Sequence, residues 1–330
     1  MSVRTVGLEE HFVTPDVLWA WEHTETQWRN PAGLTARGDI EERLTELDGE
    51  RFAAMADTGL DVQVLSLTSP GVQNVTPGDA VAVQTASNDL LADTVRAHSD
   101  RLQGFATLAT TDPARAGYEL ERAVTALGLH GAMIFPRSRG RSIERREFWP
   151  IFEAAATLNA PLYLHPQVPP PPVRDAYYSG FGEAADTGLA TFGIGWHYDA
   201  GVTLLRMILA GVFDAFPNLQ VIVGHWGEVV LFYLDRIDGL AAAASLARPV
   251  SEYFRSNVFV TPSGMFSQRY LRWSLEVMGV DRVLFSTDYP YRFAPAGGAR
   301  QFLDDADLAA SDREKIASRN WERICGGIRR

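Results

Sequence analysis

The sequence predicts an α/β protein with a TIM-like (β/α)8 barrel, and three observations support this fold. The chain has 330 residues, of which 46% are hydrophobic and 22% charged, and this size and composition suit one large barrel domain. Eight short runs rich in Val, Leu and Ile alternate with longer segments of helical periodicity. The runs are continuously hydrophobic, which is typical of parallel strands buried on both faces. We therefore expect residues 1–330 to form a single domain.

The predicted elements follow one another in a regular strand and helix order. The predicted strands are residues 5–12, 62–68, 102–109, 131–136, 161–167, 219–227, 257–263 and 282–290. Helical periodicity lies between them, at residues 40–57, 80–98, 112–127, 145–158, 202–216 and 267–278. The alternative is an open doubly wound sheet. Because no glycine-rich phosphate loop follows the first predicted strand, that alternative lacks its nucleotide-binding signature.

Two connections are too long for a minimal barrel, so we expect long insertions after the first and fifth strands. The first, residues 12–40, carries Trp19, Trp21 and Trp28. The second, residues 168–199, opens with four prolines at 169–172, which predict a stiff, extended segment. Aromatic residues follow the prolines. The insertions are either surface excursions or a lid or subunit contact over the strand ends.

Composition excludes several classes of function. The net charge of -11 and the pI near 5.1 argue against binding to nucleic acid or to anionic membranes. Cys325 is the single cysteine, so an internal disulfide and a cysteine metal cluster are excluded. Lys315, the single lysine, lies in a C-terminal helical segment, which argues against Schiff-base chemistry and a carboxylated-lysine metal bridge. With no N-terminal signal and no bilayer-length apolar run, we expect a cytoplasmic protein.

Residues with metal-ligand side chains stand at the ends of four predicted strands. Alternate strand residues share a face, so Glu9 and His11 point together and Glu10 points away. His165, His225 and Asp288 end the fifth, sixth and eighth predicted strands. Since the strand ends of a barrel converge on one rim, these residues predict a metal site. The alternative is a set of unconnected core histidines.

The types of ligand atom indicate which metal ion would bind and which role each residue would have. Glu9, His11, His165 and Asp288 offer oxygen and nitrogen ligands suited to one Zn²⁺ or Mn²⁺ ion, with a position left open for water or substrate. His225 is a proton-handling group oriented by Glu228, or else a fifth ligand. The remaining histidines follow no strand-end pattern: His23, His98 and His130 are predicted to be surface or packing residues, and the role of His197 stays open.

These residues carry a resemblance to a known family. The order of strand-end histidines and the closing Ser286-Thr287-Asp288 resemble the amidohydrolase superfamily, in the branch related to aminocarboxymuconate semialdehyde decarboxylase. The opening Leu8-Glu9-Glu10-His11-Phe12 resembles the non-oxidative decarboxylases of γ-resorcylate, 2,3-dihydroxybenzoate and 5-carboxyvanillate. The further matching stretches are residues 65–67, 210–214, 216–219, 224–228 and 236–238, with Asn320 and Arg323.

One detail makes the resemblance more specific. Most amidohydrolases carry His-x-His on the first strand, whereas this chain carries Glu9-x-His11, the variant of the decarboxylase group. By resemblance, Glu9, His11, His165 and Asp288 would bind one metal ion, and His225 with Glu228 would assist. Trp226 and the Phe135-Pro136-Arg137 stretch depart from the family pattern, which leaves the substrate open.

The function implied is decarboxylation of an ortho-hydroxybenzoate, a small aromatic carboxylic acid. Asp288 would protonate the carboxyl-bearing ring carbon, so that loss of CO2 restores aromaticity. Arg51, Arg236 and Trp226 are candidate substrate contacts, although structural salt bridges are the alternative for both arginines. Other possibilities are a mononuclear hydrolase or hydratase, and an inactive barrel that acts as a binding protein. The resemblance also implies a homodimer or homotetramer.

Overall fold

The first strand, Val6–Phe12, begins a parallel sheet in the computed structural model, which describes residues 3–29 and 37–330. It pairs with Val62–Leu67, which pairs in turn with Leu102–Gly104. A second parallel sheet contains five strands, in the spatial order Val258–Val260, Val221–Val223, Leu162–Leu164, Ala132–Ile134 and Ala106–Thr107. The two sheets contain eight strand segments. Because Leu102–Gly104 and Ala106–Thr107 both belong to the third predicted strand, these segments account for the first seven strands of the predicted barrel.

The extended segment 283–289 closes the ring between the seventh and first strands. Leu284 N donates to Val260 O at 2.9 Å, and Leu8 N donates to Phe285 O at 3.0 Å. On the other side of the ring, Phe105 N donates to Leu65 O at 2.8 Å. The predicted barrel is confirmed, and the open doubly wound sheet is wrong.

Helices surround the barrel. They are Pro15–His23, Asp39–Thr45, Gly49–Thr58, Pro77–Ala97, Pro113–Thr125, Trp149–Leu158, Pro171–Tyr177, Glu183–Gly188, Gly195–Leu209, Val212–Ala215, Leu234–Ile237, Leu240–Ala243, Val250–Asn257, Gln268–Met278, Gly298–Asp304, Ala310–Glu314 and Asn320–Gly327. The helix predicted at 40–57 is two helices, because the Asp48 side chain accepts a hydrogen bond from Gly49 N and starts a new helix there. Of the described helices, none combines the length and hydrophobicity needed to cross a membrane.

The two predicted insertions are mainly helical where they are described. In the first, Thr14 caps the helix Pro15–His23 by accepting a hydrogen bond from Val17 N at 3.3 Å; its residues 30–36 lie outside the described part of the chain. In the second, the predicted extended proline segment is wrong beyond Pro170, because Pro171 occupies the first turn of the helix Pro171–Tyr177. Proline suits this position, where the missing N–H costs no hydrogen bond.

Two hydrophobic clusters stabilise the barrel and leave one end open. One lies between the strands and the surrounding helices, and the other lies inside the barrel. Inward-facing residues, including Leu8, Phe105 and Ile222, fill the lower part of the barrel. Trp321 of the C-terminal helix is buried against Phe105 and donates its indole N–H to Gln103 at 2.7 Å. Because Gln103 lies near the start of its strand, the helix covers the N-terminal end. The opposite rim, where the strand ends meet, is free to form a site.

Candidate metal centre and active site

A cavity of about 660 Å³ opens at the C-terminal rim of the barrel. This volume is within the usual range for a small-molecule site. Its lining residues are Ile40, Ser69, His165, Phe192, Gly193, Ile194, Trp196, His197, His225, Val229, Ser263, Met265, Asp288, Tyr291 and Arg292. The wall is largely apolar and aromatic, and the polar groups come mainly from the strand ends and the second insertion.

Glu9, His11, His165 and Asp288 come together at the floor of this cavity. His165 Nε2 lies 3.4 Å from Glu9 Oε1, and His11 Nε2 lies 3.4 Å from Asp288 Oδ1. Ligand atoms of the first three residues all lie within 4.8 Å of one another. Glu9 and His11 are completely buried and His165 is almost so. Glu10 points to the other side, where it accepts hydrogen bonds from Thr287.

Glu9 uses its two carboxylate oxygens differently. Its Oε2 accepts a hydrogen bond from the Tyr163 hydroxyl at 2.6 Å and another from the Ser263 hydroxyl. Its Oε1 is buried and has no hydrogen-bond partner among the described residues. Gly224 makes room for this arrangement, since a Cβ there would lie 2.4 Å from Ser263 Oγ and 2.8 Å from Glu9 Oε2.

The histidines present nitrogen lone pairs to the same point. His165 Nδ1 lies 2.8 Å from the Pro166 carbonyl oxygen, so Nδ1 carries the proton and Nε2 is left as an acceptor. This is the tautomer of a metal-ligating histidine. His11 Nε2 is buried with no hydrogen-bond partner in the described chain. An unpaired buried carboxylate oxygen and an unpaired imidazole nitrogen are costly unless a cation joins them, so these residues fit one divalent ion.

A second cluster lies beside the first and joins His197, His225 and Glu228. His225 Nδ1 lies 2.8 Å from Glu228 Oε1, and His197 Nδ1 lies 2.8 Å from Glu228 Oε2. The two imidazole rings are 4.3 Å apart between centroids. Glu228 is fully buried, and each of its two oxygens has a hydrogen-bond partner in an imidazole N–H group.

The turn that carries His225 and Glu228 has an unusual backbone. Residues 225–229 all have positive φ angles, and Val229, with φ 62°, is β-branched. Each non-glycine residue in this region costs roughly 1 kcal/mol or more, and such residues cluster at functional sites. Trp226 N donates to Thr261 O at 2.9 Å, which ties the turn to the end of the next strand. The turn aims His225 into the cavity.

Burial and charge set the pKa values of these groups. Burial raises the pKa of Glu9 and lowers that of His165 well below its usual value. Burial also opposes the charged form of His225, but the carboxylates of Glu228, Glu9 and Asp288 outweigh it and raise the His225 pKa to about 10. For Glu228, burial is outweighed by His225 and His197, which lower its pKa. The second cluster is thus an ion pair stabilised by its own members.

The three candidate substrate contacts do not line the cavity. Arg51 is completely buried outside the barrel, and it donates to the carbonyl oxygens of His11, Arg43 and Glu46. Trp226 is also buried; it donates its indole N–H to Met265 O at 2.8 Å. Arg236 is exposed and borders a separate cavity of about 380 Å³. These three residues therefore lie outside the lining of this cavity, and their contact with a substrate stays a prediction.

Several residues at the site were missed. His197 comes from the second insertion, where the sequence offers no strand-end signal, and Arg292 lies one turn beyond Asp288. Tyr163 is two residues before His165 on the same strand. Period-two alternation could have placed Tyr163 inside the barrel with His165. No comparable signal exists for the other two.

Comparison with known proteins places the chain in one family and shows that it is similar to several decarboxylases. The profile of a family described as Amidohydrolase matches residues 11–326. A γ-resorcylate decarboxylase from Polaromonas sp. is 31% identical over 97% of both chains. The structure of 5-carboxyvanillate decarboxylase from Sphingomonas paucimobilis is 32% identical, has a TM-score of 0.89, and matches over 98% of this chain and 99% of that one. The enzyme of the same name from Novosphingobium aromaticivorans, with bound manganese and 3-methoxy-4-hydroxy-5-nitrobenzoic acid, is 30% identical with a TM-score of 0.90, over 98% and 97% of the two chains.

Proposed function

The chain belongs to the amidohydrolase family, and from this premise we propose that it is a metal-dependent carboxy-lyase that removes CO2 from an ortho-hydroxybenzoate. One observation carries the proposal: Glu9 Oε1 and His11 Nε2, both buried and unpaired within the described residues, lie at the floor of a cavity of about 660 Å³, which is large enough to admit an aromatic acid. The names of the similar proteins, which are decarboxylases of hydroxybenzoates, support the same reaction.

Glu9, His11, His165 and Asp288 would hold the metal ion. Two carboxylates and two imidazoles suit Zn²⁺ or Mn²⁺, and manganese is present in similar solved structures. When bound, the ion would supply positive charge that lowers the pKa of a neighbouring phenol and stabilises a carboxylate beside it. The expectation of Zn²⁺ ahead of Mn²⁺ stays a prediction.

The cavity wall would bind the aromatic ring and exclude water. Phe192, Ile194, Trp196, Met265 and Tyr291 line it. Burial of a flat apolar ring against such side chains is favourable, and it leaves the carboxyl and hydroxyl groups of the substrate facing the polar floor. The apolar wall therefore orients the substrate for the reaction.

Asp288 would transfer the proton. The substrate phenol gives its proton to a carboxylate oxygen of Asp288, which passes it to the ring carbon that bears the carboxyl group. The bond from that carbon to CO2 then breaks, and its electron pair returns to the ring. Asp288 lines the cavity with its side chain only 15% exposed, so water has limited access to the proton.

His225 would restore the proton balance. Loss of CO2 leaves a phenolate, which must take up one proton from solvent for each turnover. His225 lines the cavity and is held by Glu228, which is held from the other side by His197. The buried carboxylate favours the protonated imidazole, which can give a proton to the product and regain it from water.

A substrate panel tests the proposal. Protein loaded with Mn²⁺ or Zn²⁺ is incubated with 2,6-dihydroxybenzoate, 2,3-dihydroxybenzoate and 5-carboxyvanillate, and CO2 release and ring absorbance are followed. We expect CO2 and the matching phenol from at least one acid. Opening of an aromatic ester or lactone without CO2 release would instead indicate the hydrolase alternative. Absence of both reactions would indicate a binding protein.

We also propose that the chain self-associates. Phe232 and Trp273 are exposed by 68% and 43%, and they stack with centroids 5.5 Å apart beside the exposed Tyr233. An apolar surface of this kind is typical of an interface between subunits. Light scattering coupled to size-exclusion chromatography should give a dimer or tetramer, and Phe232→Asp should shift it toward the monomer. A wild-type monomer at micromolar concentration would contradict this.

A further inference from the structure

Arg137 binds both ends of the second insertion. It follows the strand Ala132–Ile134, in the Phe135-Pro136-Arg137 stretch that departs from the family pattern. Its Nη1 lies 2.5 and 2.6 Å from the two carboxylate oxygens of Asp199, and its Nη2 donates to Val168 O at 2.8 Å. The side chains of the ion pair are only 12% and 16% exposed. Since Val168 and Asp199 are the first and last residues of the insertion, one guanidinium fixes both ends to the strand.

The helix Gly195–Leu209 needs support at its start. It follows Ile194, whose aliphatic side chain cannot cap it. In the preceding helical segment, Thr191 has a non-helical backbone with φ -107° and ψ -120°. The first turn of an uncapped helix has unsatisfied N–H groups and tends to fray. Asp199 lies early in this helix, so its ion pair with Arg137 holds the starting end from outside the helix.

The same helix turn carries His197, two residues before Asp199. His197 Nδ1 lies 2.8 Å from Glu228 Oε2, and the Trp196 indole N–H donates to His197 Nε2 at 3.0 Å. A hydrogen bond weakens steeply when its distance or angle departs from the ideal. The contact between His197 and Glu228 therefore depends on where this turn of the helix is held.

A second ion pair joins the same helix to the same neighbouring segment. Arg206 Nε donates to Glu144 Oε1 at 2.9 Å, and Glu144 is buried. Arg206 lies seven residues after Asp199, which is two turns further along the same helix face. Both pairs thus fasten the helix to residues that follow the fourth strand. The pair of Arg137 is the one beside His197.

We propose that Arg137 and Asp199 are positioning residues of the active site. Their ion pair fixes the helix turn that carries His197, and His197 in turn holds Glu228, the carboxylate that orients His225. Neither Arg137 nor Asp199 lines the cavity, so both act through His197. This inference rests on the proposed function and adds two residues to it. Their effect falls mainly on kcat, because the reacting groups stay in place and the proton-handling cluster is misaligned.

Kinetics of Arg137 variants test the inference. In Arg137→Met, kcat should fall on the order of tenfold, as for the loss of His197 itself, with KM and metal content near the wild-type values. The double variant Arg137→Met/His197→Ala should have the kcat of His197→Ala alone, because the two residues act in series. Arg137→Lys should recover only part of the loss. Lysine keeps the charge, but it cannot bind the Asp199 carboxylate and the Val168 carbonyl together with a planar fork.

Arg206→Met is the matched control. It removes one arginine from the other ion pair of the same helix, and it should keep the wild-type kcat. Removing one partner of a buried ion pair can destabilise the protein, so each variant is assayed at a temperature where circular dichroism shows it folded. Arg137→Met/Asp199→Leu leaves no unpaired buried charge and should show the same kcat loss as Arg137→Met.

NMR spectra of histidine side chains give a readout that needs no substrate. In Zn²⁺-loaded protein with 15N-labelled histidine, the signals missing from His197→Ala identify His197. Arg137→Met should shift these signals, and Arg206→Met should not. Unchanged His197 signals in Arg137→Met, or kcat losses that multiply in Arg137→Met/His197→Ala, would overturn the inference and leave the decarboxylase intact. Absence of CO2 from every acid of the substrate panel would contradict the proposed function, while the NMR signals would still decide whether Arg137 positions His197.

Discussion

Two clusters of histidines and carboxylates lie side by side at the open end of the barrel, and they differ in how their polar atoms are satisfied. In the first, Glu9 Oε1 and His11 Nε2 are buried without a hydrogen-bond partner in the described chain. In the second, both oxygens of Glu228 are paired, each with an imidazole nitrogen at 2.8 Å. Both clusters have the ligand types and the spacing that a metal ion requires.

Under the proposed function, hydrogen-bond saturation distinguishes the metal site from a proton-handling site built of the same residue types. A cation in the first cluster would relieve two unpaired buried atoms. A cation in the second would have to displace protons that already bridge Glu228 to His197 and His225. We therefore infer that the first cluster holds the ion and that His225 is not a fifth ligand.

The largest expected effect comes from removing one ligand of the first cluster. His165→Ala leaves an incomplete donor set, so metal content and CO2 release should both fall to background. Metal content is measured by mass spectrometry of the purified protein. His23→Ala, at an exposed position, is the control and should retain both. His225→Asn should keep its metal; if it lost metal as completely as His165→Ala, the distinction between the clusters would be wrong.

Asp288→Asn separates metal binding from proton transfer. The amide keeps an oxygen that can bind a cation but carries no transferable proton. The kcat should fall by roughly 10² to 10⁴, the usual contribution of a general acid, while the metal content stays near that of the wild type. Single-turnover kinetics and metal analysis check the two parts. Full activity in this variant would show that another group protonates the ring.

A half-buried histidine without a carboxylate partner sharpens the comparison. His130 lies at the N-terminal end of the barrel, and burial lowers its pKa to about 4, with a smaller contribution from Arg330. The unfolded chain, with a pKa near 6.5, binds this proton more readily. The contribution of neutral His130 to the free energy of unfolding is therefore fully present above pH 6.5. It is lost as the pH falls through about 4.

The loss reaches at most about 3 kcal/mol of unfolding free energy, since each pKa unit corresponds to about 1.4 kcal/mol. Denaturant unfolding at pH 7 and pH 4.5 measures it. His130→Gln should show a smaller difference between the two pH values than the wild type. An identical difference in both proteins would indicate that His130 does not titrate in this way.

The smallest expected effect comes from His197. His197→Ala removes one partner of Glu228 and should lower kcat on the order of tenfold, as for other residues that orient an active-site group. KM and metal content should stay near the wild-type values, and His23→Ala again serves as the control. A loss of bound metal in His197→Ala would place His197 in the metal site instead.

Strand-end reasoning located the floor of the site because all parallel strands of a barrel end at one rim. Glu9, His11, His165 and Asp288 could be found in this way, although the eighth predicted strand is only an extended, bridged segment. His197 could not be found, because its contact with Glu228 depends on the left-handed turn at 225–229. Sequence spacing also gave no warning that Arg51 is buried against backbone carbonyls.

The central claim is that one divalent ion binds in the first cluster and none in the second. Anomalous X-ray diffraction from crystals of the Mn²⁺-loaded protein tests it most directly. We expect one anomalous peak within about 2.0–2.3 Å of ligand atoms from Glu9, His11, His165 and Asp288. A peak between His197 and Glu228, or no peak beside Glu9 in fully loaded protein, would contradict the account.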